Sequence, residues 1–322
     1  MSTVSQGARP ALLHGKLARR FFWAAAAAAA LALAGWTTPA FLTLDNLFVV
    51  VRAASTTGVV AIGMSYVTIS GNLFALSAGQ LSALLGIVYA LLVRAGAGAP
   101  AACGATLVAA AGAGAAQGYA MTIVRNPIIT TIAFGAVFAG IAALISGNGN
   151  IRLHNEIATW IGTMRPLRVP IQSWVFVAWA LVSAFIVAKT RVGRLLTLSG
   201  ENRLAAQASG LRVDRAAAFA LAMLGVSCAI VAIFSVSQFS QAKADMFSGL
   251  DIDCIASVLV GGVALRGGRG SPVQAALGAA LIALLQNFLL LRALPSGVRF
   301  AIVGALVVAA TSGFHLLQRR ER

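Results

Sequence analysis

The sequence predicts an all-α polytopic membrane protein of about ten transmembrane helices, with its N- and C-termini in the cytoplasm. Three observations predict it. Apolar residues make up 59% of the 322 residues and charged residues 10%, with a mean hydropathy of +0.89. A soluble domain carries about a quarter charged residues, so lipid is the solvent over most of this chain. Runs such as Ala24 to Ala34 and Leu277 to Leu291 show no alternation of period two. That excludes a barrel and leaves helices, which satisfy their own backbone groups in lipid. Basic residues, finally, cluster between the apolar runs, the pattern of cytoplasmic loops.

The first 20 residues are polar and basic, with Arg9, Lys16, Arg19 and Arg20. The apolar run after them is too long for a signal core and reads as an uncleaved first span. Residues 21–317 then form the membrane domain, followed by a cytoplasmic tail at 318–322. Ten apolar segments are read at 21–42, 47–69, 73–94, 100–124, 127–146, 171–190, 214–237, 252–265, 272–291 and 296–317. The eighth is short for a full crossing and predicts a tilted or re-entrant piece. With the N-terminus inside, sixteen of the 24 Lys and Arg fall inside and seven outside, while Arg52 lies at a span edge. The bias agrees with the positive-inside rule, and the formal charge of +16 then needs no nucleic acid to explain it.

Two outer loops look structured. Residues 147–170 hold Gly147-Asn148-Gly149-Asn150, Trp160 and Pro166, a setting for a short helix; residues 238–251 hold Lys243, Asp245 and Asp251. Small residues recur at four-residue spacing, at Ala110, Gly114 and Gly118, at Gly135 and Ala139, and at Gly86 and Ala90. Such stripes let helix backbones approach closely in lipid.

Several chemistries have no residues to run on. No Asp, Glu or Lys lies near the middle of a predicted span, which argues against proton or sodium coupling. There is no GxxxxGK[ST] loop for ATP; Gly261 to Gly270 is glycine-rich but lacks the Lys and the Ser or Thr after it, and reads as a tight turn between helices. No catalytic or cofactor-binding constellation is visible. Cys103, Cys228 and Cys254 lie in apolar segments without a CxxC pair, and His14, His154 and His315 are scattered, so no metal site is expected. Mild polar residues do occur in the spans. Ser65, Thr68, Gln80, Gln117 and Asn287 are candidates for a hydrated translocation path; for any one of them, hydrogen bonding between helices is the simpler reading.

The most informative stretch is the predicted cytoplasmic loop at about 191–214. Asn202 is a good N-cap, Arg203 to Ser209 are mostly helix formers, and Gly210 suits a left-handed C′ position followed by apolar Leu211. Asp214 is placed to cap the next span. This predicts a helix of about two turns, too short to be stable alone, with Leu204, Ala208 and Leu211 needing cover from this chain or from another.

Leu198-Ser199-Gly200-Glu201-Asn202-Arg203-Leu204-Ala205-Ala206-Gln207-Ala208-Ser209-Gly210-Leu211 resembles the cytoplasmic coupling loop of ribose-type ABC importer permeases. The stretch from Ala256 through Gly261-Gly262 to Gly267-Gly268-Arg269-Gly270-Ser271, and the run Leu76-Ser77-Ala78-Gly79-Gln80-Leu81-Ser82-Ala83-Leu84 with Gly63-Met64 before it, are similar to the same family. The likeness covers about residues 45 to 312. In one departure, Ala75 stands where the family commonly has an Asp, and the stretch there looks lengthened by about two residues. The resemblance implies a non-enzymatic transporter subunit of the bacterial inner membrane, carrying a monosaccharide or similar small polar solute. Its implied partners are an ABC ATPase subunit, a periplasmic solute-binding protein, a second permease copy or paralogue, and membrane lipid, with no nucleic acid and no cofactor. Glu201, Asn202, Arg203, Ala205, Ala206, Gly210 and Leu211 would form the ATPase-coupling surface, with Arg194 and Arg212 able to pair with acids on the partner. The related branched-chain amino acid permeases, and a stand-alone channel or carrier, are the alternatives.

Overall fold

The computed structural model describes residues 39–153 and 156–319. The first predicted span therefore lies outside the described residues, apart from a 3-10 turn at Pro39–Leu42. The helices that follow are α1 (Leu44–Ile69), α2 (Ala78–Arg94), α3 (Ala99–Val124), α4 (Pro127–Ser146), α5 (Glu156–Thr163), α6 (Ile171–Lys189), α7 (Arg191–Glu201), α8 (Arg203–Ala208), α9 (Val213–Phe239), α10 (Leu250–Val260), α11 (Pro272–Leu291) and α12 (Ser296–Arg319). Two short strands, β1 (Ile151–Arg152) and β2 (Gln241–Ala242), pair antiparallel. The fold is all-α and polytopic. Six described helices, α1, α3, α4, α6, α9 and α11, are long and apolar enough to cross a membrane. The short helix expected in the 147–170 loop is α5.

Burial sorts the helices. In α1 and α9, 56% and 61% of the most apolar stretch is buried within the protein, against 28% in α3 and α4 and 22% in α6. The first two form the centre, and the others present Ile129, Leu144, Leu181 and Phe185 outward, as helices in lipid do. The predicted small-residue stripe on α3 is used in full. Ala110 meets Gly225, Gly114 meets Leu221, and Gly118 meets Ala218, all backbone to backbone on α9. Gly86 packs against the Val236 side chain. The Gly135 and Ala139 pair is used only in half, because Ala139 faces outward.

A methyl added to Gly114 would run into the Leu221 carbonyl, whereas Gly112 on the same helix has no neighbour within reach among the described residues. Overpacking costs roughly 1–3 kcal/mol or more. Gly114→Leu is therefore expected to lower the thermal unfolding midpoint in detergent by several degrees, and Gly112→Leu to leave it unchanged.

The third predicted span is not one continuous helix. Residues 71–77 run as irregular chain, with Gly71 and Leu73 at φ +82° and +57°, and α2 begins only at Ala78. The segment is exposed at Gly71 and Leu73 and enters the protein at Ala75 and Ser77, which are buried, so its deeper irregular backbone is covered by protein, as it must be at membrane depth. Thr68 Oγ1 donates to the Leu73 carbonyl at 2.9 Å, and the Ala75 N–H lies 3.2 Å from Met64 Sδ. The start of α2 rests against the middle of α9, where Cys228 Sγ lies 3.5 Å from the Ala78 carbonyl. The short α10, about 16 Å long, is the predicted eighth segment and stops well short of the roughly 30 Å hydrocarbon core. Its start rests against the middle of α1, where Cys254 Sγ lies 3.6 Å from the Thr57 carbonyl. Two shorter helices, the 17-residue α2 and the 11-residue α10, thus begin deep in the bundle, with their N-termini near each other.

Candidate functional site

The loops gather at two ends. At one, β1 and β2 join the two predicted outer loops through Ile151 and Ala242. At the other, three predicted inner turns meet: the end of α1 at Gly71, the end of α7 at Gly200, and the turn at Gly267-Gly268. The Gly268 N–H donates to the Ile69 carbonyl at 2.8 Å. A side chain at Gly200 would land on that same carbonyl and on the Gly268 nitrogen, and one at Gly267 would strike Gly71. Gly267 and Gly268 also hold φ of +80° and +72°, open to glycine at little cost. The glycines predicted to make a tight turn therefore make a three-way backbone junction as well.

The predicted coupling loop lies against this junction. Its local geometry follows the sequence reading. Asn202 is extended and its Oδ1 accepts from the Ala205 N–H at 3.0 Å, an N-cap. The Gly210 N–H reaches the Gln207 carbonyl at 2.9 Å and the Leu211 N–H reaches the Ala206 carbonyl at 3.0 Å. With Gly210 at φ +77°, that is a complete Schellman cap. Glu201, Asn202, Arg203, Ala205 and Gly210 are exposed, Leu211 is half-buried, and Leu204 is 78% exposed. Only Ala206 in this short helix is buried.

Two details differ from expectation. Asp214 does not cap α9. It lies in the first turn, where its Oδ1 is 3.8 Å from Arg203 Nη2, because the chain turns into the helix earlier, at Arg212. Arg203 also reaches Asn72 Oδ1 at 3.5 Å, so it ties the loop to the chain after α1. The preceding helix α7 was not read from the sequence, although its signals are present. Thr190 caps it, accepting from the Gly193 N–H at 3.1 Å, and Gly193, Leu196 and Ser199 recur every third residue on its buried face.

At the opposite end a cavity of about 440 Å³ opens between the first half of α1, the end of α9 and the start of α10. Arg52 and Thr56 line it, one helical turn apart on α1, facing Ser235 and Gln238 on α9 and Asp253 on α10. Asp253 Oδ1 accepts from Gln286 Nε2 on α11 at 2.7 Å. Arg52 Nε is shielded from solvent without a hydrogen-bond partner among the described residues, and Arg52 makes no ion pair with Asp253. Sequence reading set Arg52 aside as a charge at a span edge and did not single out Asp253.

Between the two ends lies Asp251. Its Oδ1 accepts from the Gly79 N–H at 2.8 Å. Ser77, at the N-cap position of α2, makes no side-chain cap, so the carboxylate of another helix serves that N-terminus. Asp251 lies in the first turn of α10 too. Both helix dipoles favour negative charge there.

The five path candidates divide accordingly. Gln80 and Gln117 come together at the start of α2, where Gln117 Nε2 donates to Ser77 Oγ at 2.6 Å. Asn287 lies far along α11, in a reciprocal pair with Asn46 at 2.9 Å. Ser65 and Thr68 are fully buried and donate to the carbonyls of Ile62 and of Met64 and Leu73. None of the five lines the cavity.

The bundle thus has two shorter helices starting near each other inside it, a cavity open at one end and an exposed capped helix at the other. Residues 46–313 match the family described as branched-chain amino acid transport system / permease component, and the chain belongs to that family. Among curated proteins it is similar to the ribose import permease protein RbsC of Escherichia coli K12, 27% identical over 87% of this chain and 88% of the relative. The probable ABC transporter permease protein YphD of the same strain is 29% identical over 88% and 85%. The autoinducer 2 import system permease protein LsrD of Escherichia coli O9:H4 strain HS is 28% identical over 94% and 95%. No solved structure gives a significant match. The protein is a multi-pass membrane permease component and not an enzyme.

Proposed function

We propose that this chain is the membrane-spanning subunit of an ATP-driven importer in the bacterial inner membrane, forming the path for a monosaccharide or similar small polar solute. The observation that carries this reading is α8, a two-cap helix of six residues presenting Leu204 uncovered beside the glycine junction. An apolar side chain so exposed on so short a helix fits a partner, and an ABC ATPase subunit fits the family. Sugar is favoured over a branched-chain amino acid by the names of the relatives, which concern ribose and autoinducer 2.

In this reading the chain has ten spans, with residues 1–20 and 318–322 in the cytoplasm and the loop at 191–214 coupling to the ATPase through Glu201, Asn202, Arg203, Ala205, Ala206, Gly210 and Leu211. A second permease copy or paralogue completes the membrane unit, and a periplasmic solute-binding protein meets the paired outer loops. Gln80 and Gln117 stand on the path at mid-depth. ATP-driven closure of the ATPases shifts the population between outward-open and inward-open states.

The test is co-purification from nanodiscs. Leu204→Arg with Ala205→Arg changes two exposed positions and spares the Asn202 and Gly210 caps and buried Ala206. The ATPase is expected to co-purify with the wild type and to be lost from the double variant, at unchanged permease yield and thermal midpoint. Retention of the ATPase by the variant would remove α8 as the coupling site.

A further inference from the structure

The small-residue stripe that joins α3 to α9 also decides what lies beside the turn from α3 to α4. The two helices run antiparallel, with Ala110 on Gly225, Gly114 on Leu221 and Gly118 on Ala218. Arg125, just past the end of α3, stands about 10 Å beyond Gly118 along the helix axis. Arg212, just before α9, stands about 9 Å back from Ala218. The two arginines are therefore level. Arg215, one turn before Ala218, shares the face of α9 that packs on α3. All three residues are exposed, and none makes an ion pair among the described residues. Asp214, the acid between them in sequence, lies 3.8 Å from Arg203 instead. The turn itself is fixed. The Arg125 N–H donates to the Met121 carbonyl at 3.0 Å with φ at +57°, and Asn126 Oδ1 accepts from the Ile129 N–H at 3.2 Å. Ile123, Val124 and Ile129 are exposed on either side of it, and so is Tyr119 further along α3.

We propose that this notch holds the headgroup of an anionic phospholipid, with Arg125, Arg212 and Arg215 around the phosphate and the acyl chains along Ile123, Val124 and Ile129. Cations at short range repel one another, and no carboxylate of the described residues pairs with these three. A guanidinium matches a phosphate with paired N–H donors. The exposed apolar residues within a turn of Arg125 set the cluster at the edge of the hydrocarbon, with Tyr119 at the depth that suits an interfacial aromatic. An acidic protein surface cannot follow the chain there, whereas a lipid phosphate is already present. The general bias of basic residues to one end of a membrane protein does not by itself bring arginines from segments far apart in the chain to one notch. Arg212 lies two residues after the Gly210 cap, so the bound phosphate ties the end of the α8 loop to the α3–α4 hairpin and braces it.

The test uses the purified, delipidated full-length chain without any ATPase, so it is independent of the importer reading. Phosphatidylglycerol is titrated into detergent micelles containing phosphatidylcholine, and the thermal midpoint is followed. The midpoint is expected to rise by several degrees, as for any ligand of the folded state, and to ignore added phosphatidylcholine and glycerol 3-phosphate. Arg125→Gln with Arg215→Gln is expected to raise the half-effect concentration roughly thirtyfold, the loss of two basic contacts to a lipid surface. Arg191→Gln with Arg194→Gln, two exposed arginines of α7, should leave it unchanged. If the first pair does not fold, Arg125→Gln alone is expected to give about fivefold. A midpoint indifferent to phosphatidylglycerol overturns the site, and so does an equal loss in the α7 pair, which would mean attraction to charge in general. Glycerol 3-phosphate acting as well as the lipid overturns the lipid as occupant. An undiminished lipid response in the Arg125 and Arg215 variant, with ATPase co-purification lost from the complex, would assign the arginines to the ATPase.

Discussion

Asp251→Leu is expected to abolish stable folding of the permease, while Asp251→Asn leaves it folded with a lowered midpoint. The carboxylate is buried and serves the Gly79 amide in the first turn of α2, a helix that starts deep in the bundle and has no side-chain cap from Ser77. Leucine would leave the Gly79 N–H unsatisfied, at roughly 1–3 kcal/mol. No water is at hand to replace the acceptor, because Ala78 and Gly79 are buried. It would also push an apolar side chain against Gly79, where even a methyl added to the glycine would press on the Phe247 carbonyl at 2.8 Å. Asparagine keeps one oxygen for Gly79 and loses the charge assistance, worth about 1 kcal/mol or more. Thermal unfolding of the three proteins in detergent, read beside yield on gel filtration, ranks them. Equal midpoints for wild type and Asp251→Leu would show that α2 needs no cap from α10.

Much of this fold was legible in the sequence because lipid permits so few solutions. A run such as Val213 to Phe239 has one viable structure in a bilayer, and the Ala110, Gly114 and Gly118 stripe named its own packing face before the partner was known. The loop helix was legible for a different reason. Asn202 and Gly210 are residues whose backbone preferences mark the two ends of a helix, and those signals are local.

What the sequence did not reveal is non-local. Nothing in Gly79 and Asp251, separated by 172 positions, announces that one caps the other. Apolar periodicity reads 73–94 as a span because the residues between Gly71 and Ala78 are as apolar as a helix would be. Only the Gly71-Asn72 turn and the left-handed Leu73 break it. The resemblance implied an Asp at position 75, where Ala75 is fully buried. The adjacent helix start draws its negative charge from Asp251 in this protein. The polar path candidates were chosen by residue type alone, and type does not separate Thr68, which pins its own chain, from Thr56, which faces the cavity.

The second large effect is expected at the glycine junction. Gly200→Val should uncouple the protein: the ATPase still docks, and the cavity no longer responds to it. The side chain would fall on the Ile69 carbonyl and the Gly268 nitrogen, displacing the 2.8 Å hydrogen bond that joins them. Through that bond the loop carrying α8 touches both α1, whose other half lines the cavity, and the turn that follows α10, whose start forms the cavity floor. Packed backbone transmits displacement because it cannot compress, and a valine wedge separates the three chains without altering the exposed face of α8. The control is Gly304→Val on α12, where nothing lies within reach among the described residues. The readout is maleimide labelling of Thr56→Cys in the reconstituted complex, with and without vanadate trapping of the ATPase. In the otherwise unchanged protein, trapping is expected to change the labelling rate about tenfold, a coupling of roughly 1.4 kcal/mol. With Gly200→Val the ATPase should still co-purify while the rate ignores vanadate. A rate that still follows vanadate would place the mechanical link elsewhere, with the Arg203 contact to Asn72 as the remaining bridge between the loop and the end of α1.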